Sequence, residues 1–140
     1  MNVSARFTVS LHILTLLASQ PEEALTSEFI AGSVNTNPAF IRRQMAALRK
    51  AGLVASQPGT GGGWRLMADP ATLTLAEVRR ALHEGSPFSM HPQRPNPACT
   101  VGRGIQAALL PIYAHAERAM EADLDQTTVG SLLATVSARK

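Results

Sequence analysis

Apolar residues return every three or four positions through most of this chain, the period of a helix buried along one face. The first such run, residues 4–19, carries Phe7, Leu11, Leu14 and Ala18 on one stripe. Val9, Ile13 and Leu16 widen that stripe until more than one face is apolar, which predicts a helix buried from several sides. Gln20, Pro21, Glu22 and Glu23 break it, and Thr26 or Ser27 then caps a short helix containing Phe29, Ile30 and Ala31, with Glu28 in its first turn. Residues 34–36 make a tight connection. Asn37 can accept the free amides of the next helix, and Pro38 occupies its first position at little cost. At about 100° per residue, Ile41, Met45 and Leu48 share one face of that helix, while Arg42, Arg43, Ala46 and Lys50 lie away from it. Gly52 sits where a left-handed terminator belongs, and 53–57 and 64–67 read as two short strands around a glycine-rich turn. Helix, turn, helix and hairpin is a winged helix-turn-helix plan, mainly α with one small β-hairpin.

Further along, Thr74 and Glu77 form a capping box ahead of a stripe of Leu75, Val78 and Leu82 that ends before Gly85. Pro87, Pro92, Pro95 and Pro97 make 86–97 an exposed connection. Ile105, Leu109, Ile112, Ala116, Met120 and Leu124 then mark a helix of roughly twenty residues, about 30 Å long. Too little chain follows to cover it. Pro111 lacks a donor and crowds Ala107, so a kink or shifted hydrogen bonding is expected there. A last short helix, capped by Thr127 or Thr128, carries Val129, Leu132, Leu133 and Val136. The expected organisation is therefore 1–85 as the winged unit, 86–100 as a proline-rich loop, and 101–140 as the long helix and its successor.

Charge sharpens this picture. The 140 residues carry a formal net charge of +3 with a pI near 9.8, and distribution matters more than the total. Between Glu28 and Asp69 there is no acidic residue, while Arg42, Arg43, Arg49, Lys50 and Arg65 all fall there. A one-sign patch of that kind suits a polyanion. The hydrophobic content of 45 % is ample for a core. A single cysteine excludes an internal disulfide framework and fits a reducing compartment. Arg6 and the apolar run after it superficially resemble a secretory signal, but Ser10, His12 and Thr15 interrupt that run and a core helix explains it. No apolar stretch is long enough to span a bilayer.

Thr36, Ala39 and Ala46 keep the outward face of the basic helix small, which would let its backbone approach a major groove. Arg42 and Arg43 can read guanine edges or clamp phosphates, whereas Lys50 and Arg65 suit phosphate. The glycine run 59–63 is not followed by the Lys-Ser or Lys-Thr pair and helix start of a phosphate-binding loop, so it reads as a wing tip. His12, on the buried first helix, His83, His91 and His115 read as packing or surface histidines, and Glu117 with Glu121 as a solvated pair on a helix. No nucleophile, base and orienter assemble, so no enzyme is expected. Cys99 is the one reactive candidate, in an exposed loop just before a helix.

Taken with these motifs, the chain resembles the Rrf-two family of bacterial winged helix-turn-helix transcription regulators over nearly its whole length. The resemblance rests on Asn37-Pro38, on Leu48-Arg49-Lys50-Ala51-Gly52-Leu53-Val54, on Gly61-Gly62-Gly63-Trp64-Arg65-Leu66, and on Leu75-Ala76-Glu77-Val78 after Thr74. It implies a cytoplasmic DNA-binding homodimer, in which the long helix meets its counterpart through Ile105, Leu109, Ile112, Ala116, Met120 and Leu124. Two recognition helices would enter successive major grooves of a palindromic operator in double-stranded DNA. Thr36, Asn37, Ala39, Arg42, Arg43, Ala46, Lys50 and Arg65 would meet the duplex, with the wing tip at Thr60, Gly61 and Gly62 near the minor groove or backbone. The wing departs from the family's commoner Arg-Gly start by having Gln57-Pro58-Gly59. Several family members hold an iron-sulfur cluster through three regularly spaced cysteines and often a histidine. With Cys99 as the third, the other positions fall on Pro87, Gln93 and Gly102, which cannot coordinate iron. The chain is similar instead to a subgroup with one cysteine and no cluster, so no metal or other cofactor is expected. The leading expectation is a repressor with a thiol signal at Cys99; the alternative is a winged-helix module that binds protein and never touches DNA.

Overall fold

The structure is a computed structural model that describes residues 5–139. Its elements follow from local signals that close one after another. α1 (Arg6–Ser19) buries Ile13, Leu14 and Leu17 and packs against α2 (Ser27–Val34), the hairpin, α4 (Leu75–Ala81) and α6 (Val129–Ala138), so it is enclosed on several sides. Ser4, the expected start of this helix, lies outside the described residues. The Thr26 hydroxyl caps α2 by accepting the Phe29 amide at 3.1 Å. Asn35 ends α2 in the left-handed conformation, φ 64°, which an asparagine tolerates and which turns the chain sharply into the next helix.

α3 (Pro38–Lys50) starts on the Asn37 side chain, whose Oδ1 accepts the Phe40 amide at 2.8 Å. It stops through a paired arrangement: the Leu53 amide donates to the Leu48 carbonyl and the Gly52 amide to that of Arg49, with Gly52 at φ +80°. β1 (Val54–Gln57) and β2 (Gly63–Leu66) pair antiparallel with Val54 opposite Leu66 and Gln57 opposite Gly63. Leu25 adds a third short edge by exchanging two backbone hydrogen bonds with Trp64. α4 (Leu75–Ala81) carries the expected Thr74/Glu77 capping box.

α5 (Thr100–Leu124) runs 25 residues and is helical on both sides of Pro111. It is longer than its apolar stripe predicts, because Cys99 caps it more than a turn before Ile105. No residue of α5 is fully buried. α6 (Val129–Ala138), opened by a Thr128/Ser131 capping box, does not return to cover α5. It lies along α1, and its Val129 is completely buried among Ile13, Leu73, Val78 and the other core residues. Three backbone hydrogen bonds fix that return: Leu75 amide to Thr127 carbonyl, Val129 amide to Leu73 carbonyl, and Gly130 amide to Pro70 carbonyl. Burying a valine completely contributes about 1.5–3 kcal/mol, so α6 is part of what holds the winged unit together.

Candidate nucleic-acid interface

The core side of α3 holds Ile41, Gln44, Met45 and Leu48, all buried. Helical geometry then dictates what faces away. Ala39, Arg42, Arg43, Ala46, Arg49 and Lys50 are all exposed, so one continuous face combines two small residues with four cations. Thr36, half-buried in the turn, and Asn37, whose side chain is engaged in capping, stand at the end of this face. The cations are positioned, each differently. Arg42 donates from Nη2 to Oε1 of Glu28 at 3.0 Å, a pair exposed on both sides. Arg43 lies over the Phe40 ring at 5.8 Å, and Arg49 over the Trp64 ring at 5.9 Å. Lys50, with Arg49, also complements the negative end of the helix.

Trp64 ties the wing to this face through its ring beneath Arg49, and to α2 through its indole nitrogen, which donates to the Ser27 hydroxyl at 3.2 Å. Thr60 and Gly61 stand exposed at its tip with Gly62 partly covered beneath them. Arg65 has a different position from that of a free phosphate ligand. Its guanidinium donates to Gln57 Oε1 at 2.9 Å and to the carbonyls of Pro21 and Glu22 at 3.1 and 3.2 Å. Those bonds lash the wing to the turn after α1 and leave the cation partly covered.

One sequence reading needs correction, and another is narrowed. Of the packing and surface roles open to it, His12 takes the surface one: it is exposed, and one of its ring nitrogens lies 2.9 Å from the Ser33 hydroxyl. Glu117 and Glu121 are not a solvated pair: both turn to Arg79, which is only 7 % exposed. Arg79 escaped the sequence reading, although a signal was present. Stepping about 100° per residue from Leu75 puts it between Leu75 and Ala76, along the edge of the apolar stripe of α4, where a cation needs carboxylate partners. Glu117 and Glu121, one turn apart, supply them.

Cys99 is exposed and caps α5, its Sγ accepting the Gly102 amide at 3.5 Å. Along α5 the six-residue stripe divides. Leu109, Ala116, Met120 and Leu124 are half-buried toward their own chain, while Ile105 and Ile112 stay exposed together with Val101.

The sequence profile of Rrf2, described as an iron-dependent transcriptional regulator, matches residues 3–135. The chain belongs to the Rrf2 family. Within the comparison, YwnA of Bacillus subtilis, provisionally named an HTH-type transcriptional regulator, is 42 % identical over 123 residues, 87 % of this chain and 90 % of YwnA. A solved structure provisionally described as a DNA-binding protein shares 35 % identity at a TM-score of 0.70, covering 91 % of this chain and 98 % of that one. CymR of B. subtilis, described as its global cysteine regulator, superposes at a TM-score of 0.72 with 25 % identity, over 96 % of this chain and 98 % of CymR. As an Rrf2 protein the chain is a DNA-binding transcriptional regulator and not an enzyme. The expected alternative, a winged module that ignores DNA, is not favoured. The family's iron does not fit these residues: among the described residues no three histidine, cysteine or acidic side chains come together to hold a metal ion. No helix among them is long and apolar enough to cross a membrane.

Proposed function

We propose that this Rrf2 protein is a cytoplasmic homodimeric repressor whose two α3 helices enter successive major grooves of a palindromic operator. The observation that carries this reading is the outward face of α3, where Ala39 and Ala46 admit close approach and Arg42, Arg43 and Lys50 surround them. Val101, Ile105 and Ile112, exposed apolar residues that fall on one side of α5, are what a second copy would cover. In this division of work residues 1–85 read DNA, 86–100 connect, and 101–140 join the copies, with α6 also completing the first unit.

Binding to a duplex selected from random sequence, titrated against salt, tests the assignment. Lys50→Ala is expected to weaken every sequence alike and to lower the salt slope by about one, as loss of one phosphate contact does. Arg43→Ala is expected to cost about 1–3 kcal/mol and to relax the preference at one base pair. Unchanged affinity and unchanged slope in both variants would remove α3 from the interface.

We also assign the signal to Cys99, on its exposure and its place at the start of α5. Hydrogen peroxide would convert its Sγ–H to Sγ–OH while being reduced to water, placing a bulkier group where the sulfur now accepts the Gly102 amide. Peroxide is expected to weaken operator binding by the parent and not by Cys99→Ser; equal responses would take Cys99 out of the switch.

A further inference from the structure

Two anchors set the direction of α5 relative to the winged unit. The first is at its C-terminal end, where the Thr74 hydroxyl donates to Asp125 Oδ1 at 2.8 Å and the Leu75 amide to the Thr127 carbonyl. The second is Arg79 on α4. Its Nη1 donates to Glu121 Oε1 at 3.1 Å, and its Nη2 to the Gly85 carbonyl at 2.7 Å and to Glu117 Oε1 at 3.5 Å. Arg80 reaches the other Glu121 oxygen at 3.7 Å. Toward its N-terminus α5 meets the proline-rich loop, through the stacked rings of Phe88 and Tyr113 and a bond from Gln106 to the His91 carbonyl. That loop is itself gripped at its start, since Gly85 is one of the three Arg79 acceptors.

We infer that Arg79 is the positioning residue that fixes the angle between the DNA-reading unit and α5, and through it the separation of the two recognition helices on the operator. The inference rests on the homodimer reading above. A buried guanidinium shared by two carboxylates on successive turns resists tilting as well as sliding, because either movement lengthens at least one bond and leaves a charge poorly paired. The leverage is large. Glu117 lies about 12 Å along the helix from Asp125, and the 25 residues of α5 extend about 37 Å. A tilt of about 5° at the anchors therefore moves the far end by about 3 Å, close to the rise of one base pair.

The test uses full-length protein, a palindromic duplex selected with the parent, and versions of it with one base pair added or removed between the half-sites. Light scattering establishes the oligomeric state in parallel. The parent is expected to lose about tenfold in affinity for each altered spacing, the Arg79→Met protein only about twofold, and Arg79→Lys to fall between them. Glu117→Gln combined with Glu121→Gln, at partly exposed positions, should relax the spacing preference in the same direction. It keeps the test decisive if Arg79→Met fails to fold. A role in stability alone would lower the melting temperature and leave the spacing preference untouched. Folded, dimeric variants with the parent's spacing preference would overturn the inference while sparing the dimer reading. A parent that is monomeric, or indifferent to spacing, would overturn the dimer reading itself and the lever with it.

Discussion

Gly63 shows how much the placement of the wing depends on close backbone packing. It sits at φ +150°, and a Cβ there would lie 2.5 Å from the Leu25 carbonyl oxygen, because Trp64 next to it exchanges both hydrogen bonds with Leu25. Gly63→Ala is expected to cost about 1–3 kcal/mol and to loosen the wing, measured as a lower urea midpoint with an unchanged slope. An unchanged midpoint would mean that the Leu25 edge yields freely. The glycine-rich turn was legible as a wing tip, since breakers between two strand-like runs are a local signal. The reason for this particular glycine was not, because its neighbour is Leu25, far away in sequence. Arg65 is a parallel case. Its charge was legible, but its acceptors are mostly carbonyls of residues 21 and 22, and any residue type supplies a carbonyl.

Among the elements, those that begin and end on their own side chains matched expectation closely. Asn37-Pro38 opens α3 and Gly52 closes it, and Thr74 with Glu77 opens α4, because capping involves partners only a few residues apart. Periodicity likewise revealed α5, although its start depended on Cys99, an unusual cap residue. What periodicity could not reveal was which part of a continuous stripe faces home. Leu109, Met120 and Leu124 lean toward their own chain, and Ile105 and Ile112 do not, a distinction created by where α4 and the proline-rich loop happen to lie. The basic face of α3 was legible for the opposite reason: a helix of 13 residues with a well-defined core side fixes its outward side by geometry. Arg79 marks the limit between these cases, since its position on an apolar face was visible while its partners lay on another helix.

At the level of the whole molecule, the proposed dimer makes the exposed strip of α5 a determinant of operator affinity. Ile112 is 60 % exposed, so Ile112→Glu is expected to leave the unfolding free energy of the single chain within about 0.5 kcal/mol of the parent. The same substitution should shift the protein to monomer in sedimentation experiments and weaken operator binding together with that shift, because each recognition helix then acts alone. A variant that stays dimeric would place the contact between copies elsewhere on the surface.

The return of α6 to α1 also has a consequence for how the protein comes to exist. Helices α1 to α4 leave the ribosome long before Val129, yet that valine lies wholly inside the core they share, and the backbone bonds that seat it come from residues 70, 73 and 75. Contacts between segments far apart in a chain form late. The core around α1 to α4 is therefore closed by residues synthesised after α5, and a chain interrupted within α5 keeps the sequence of α3 but lacks the closed core that holds it in place.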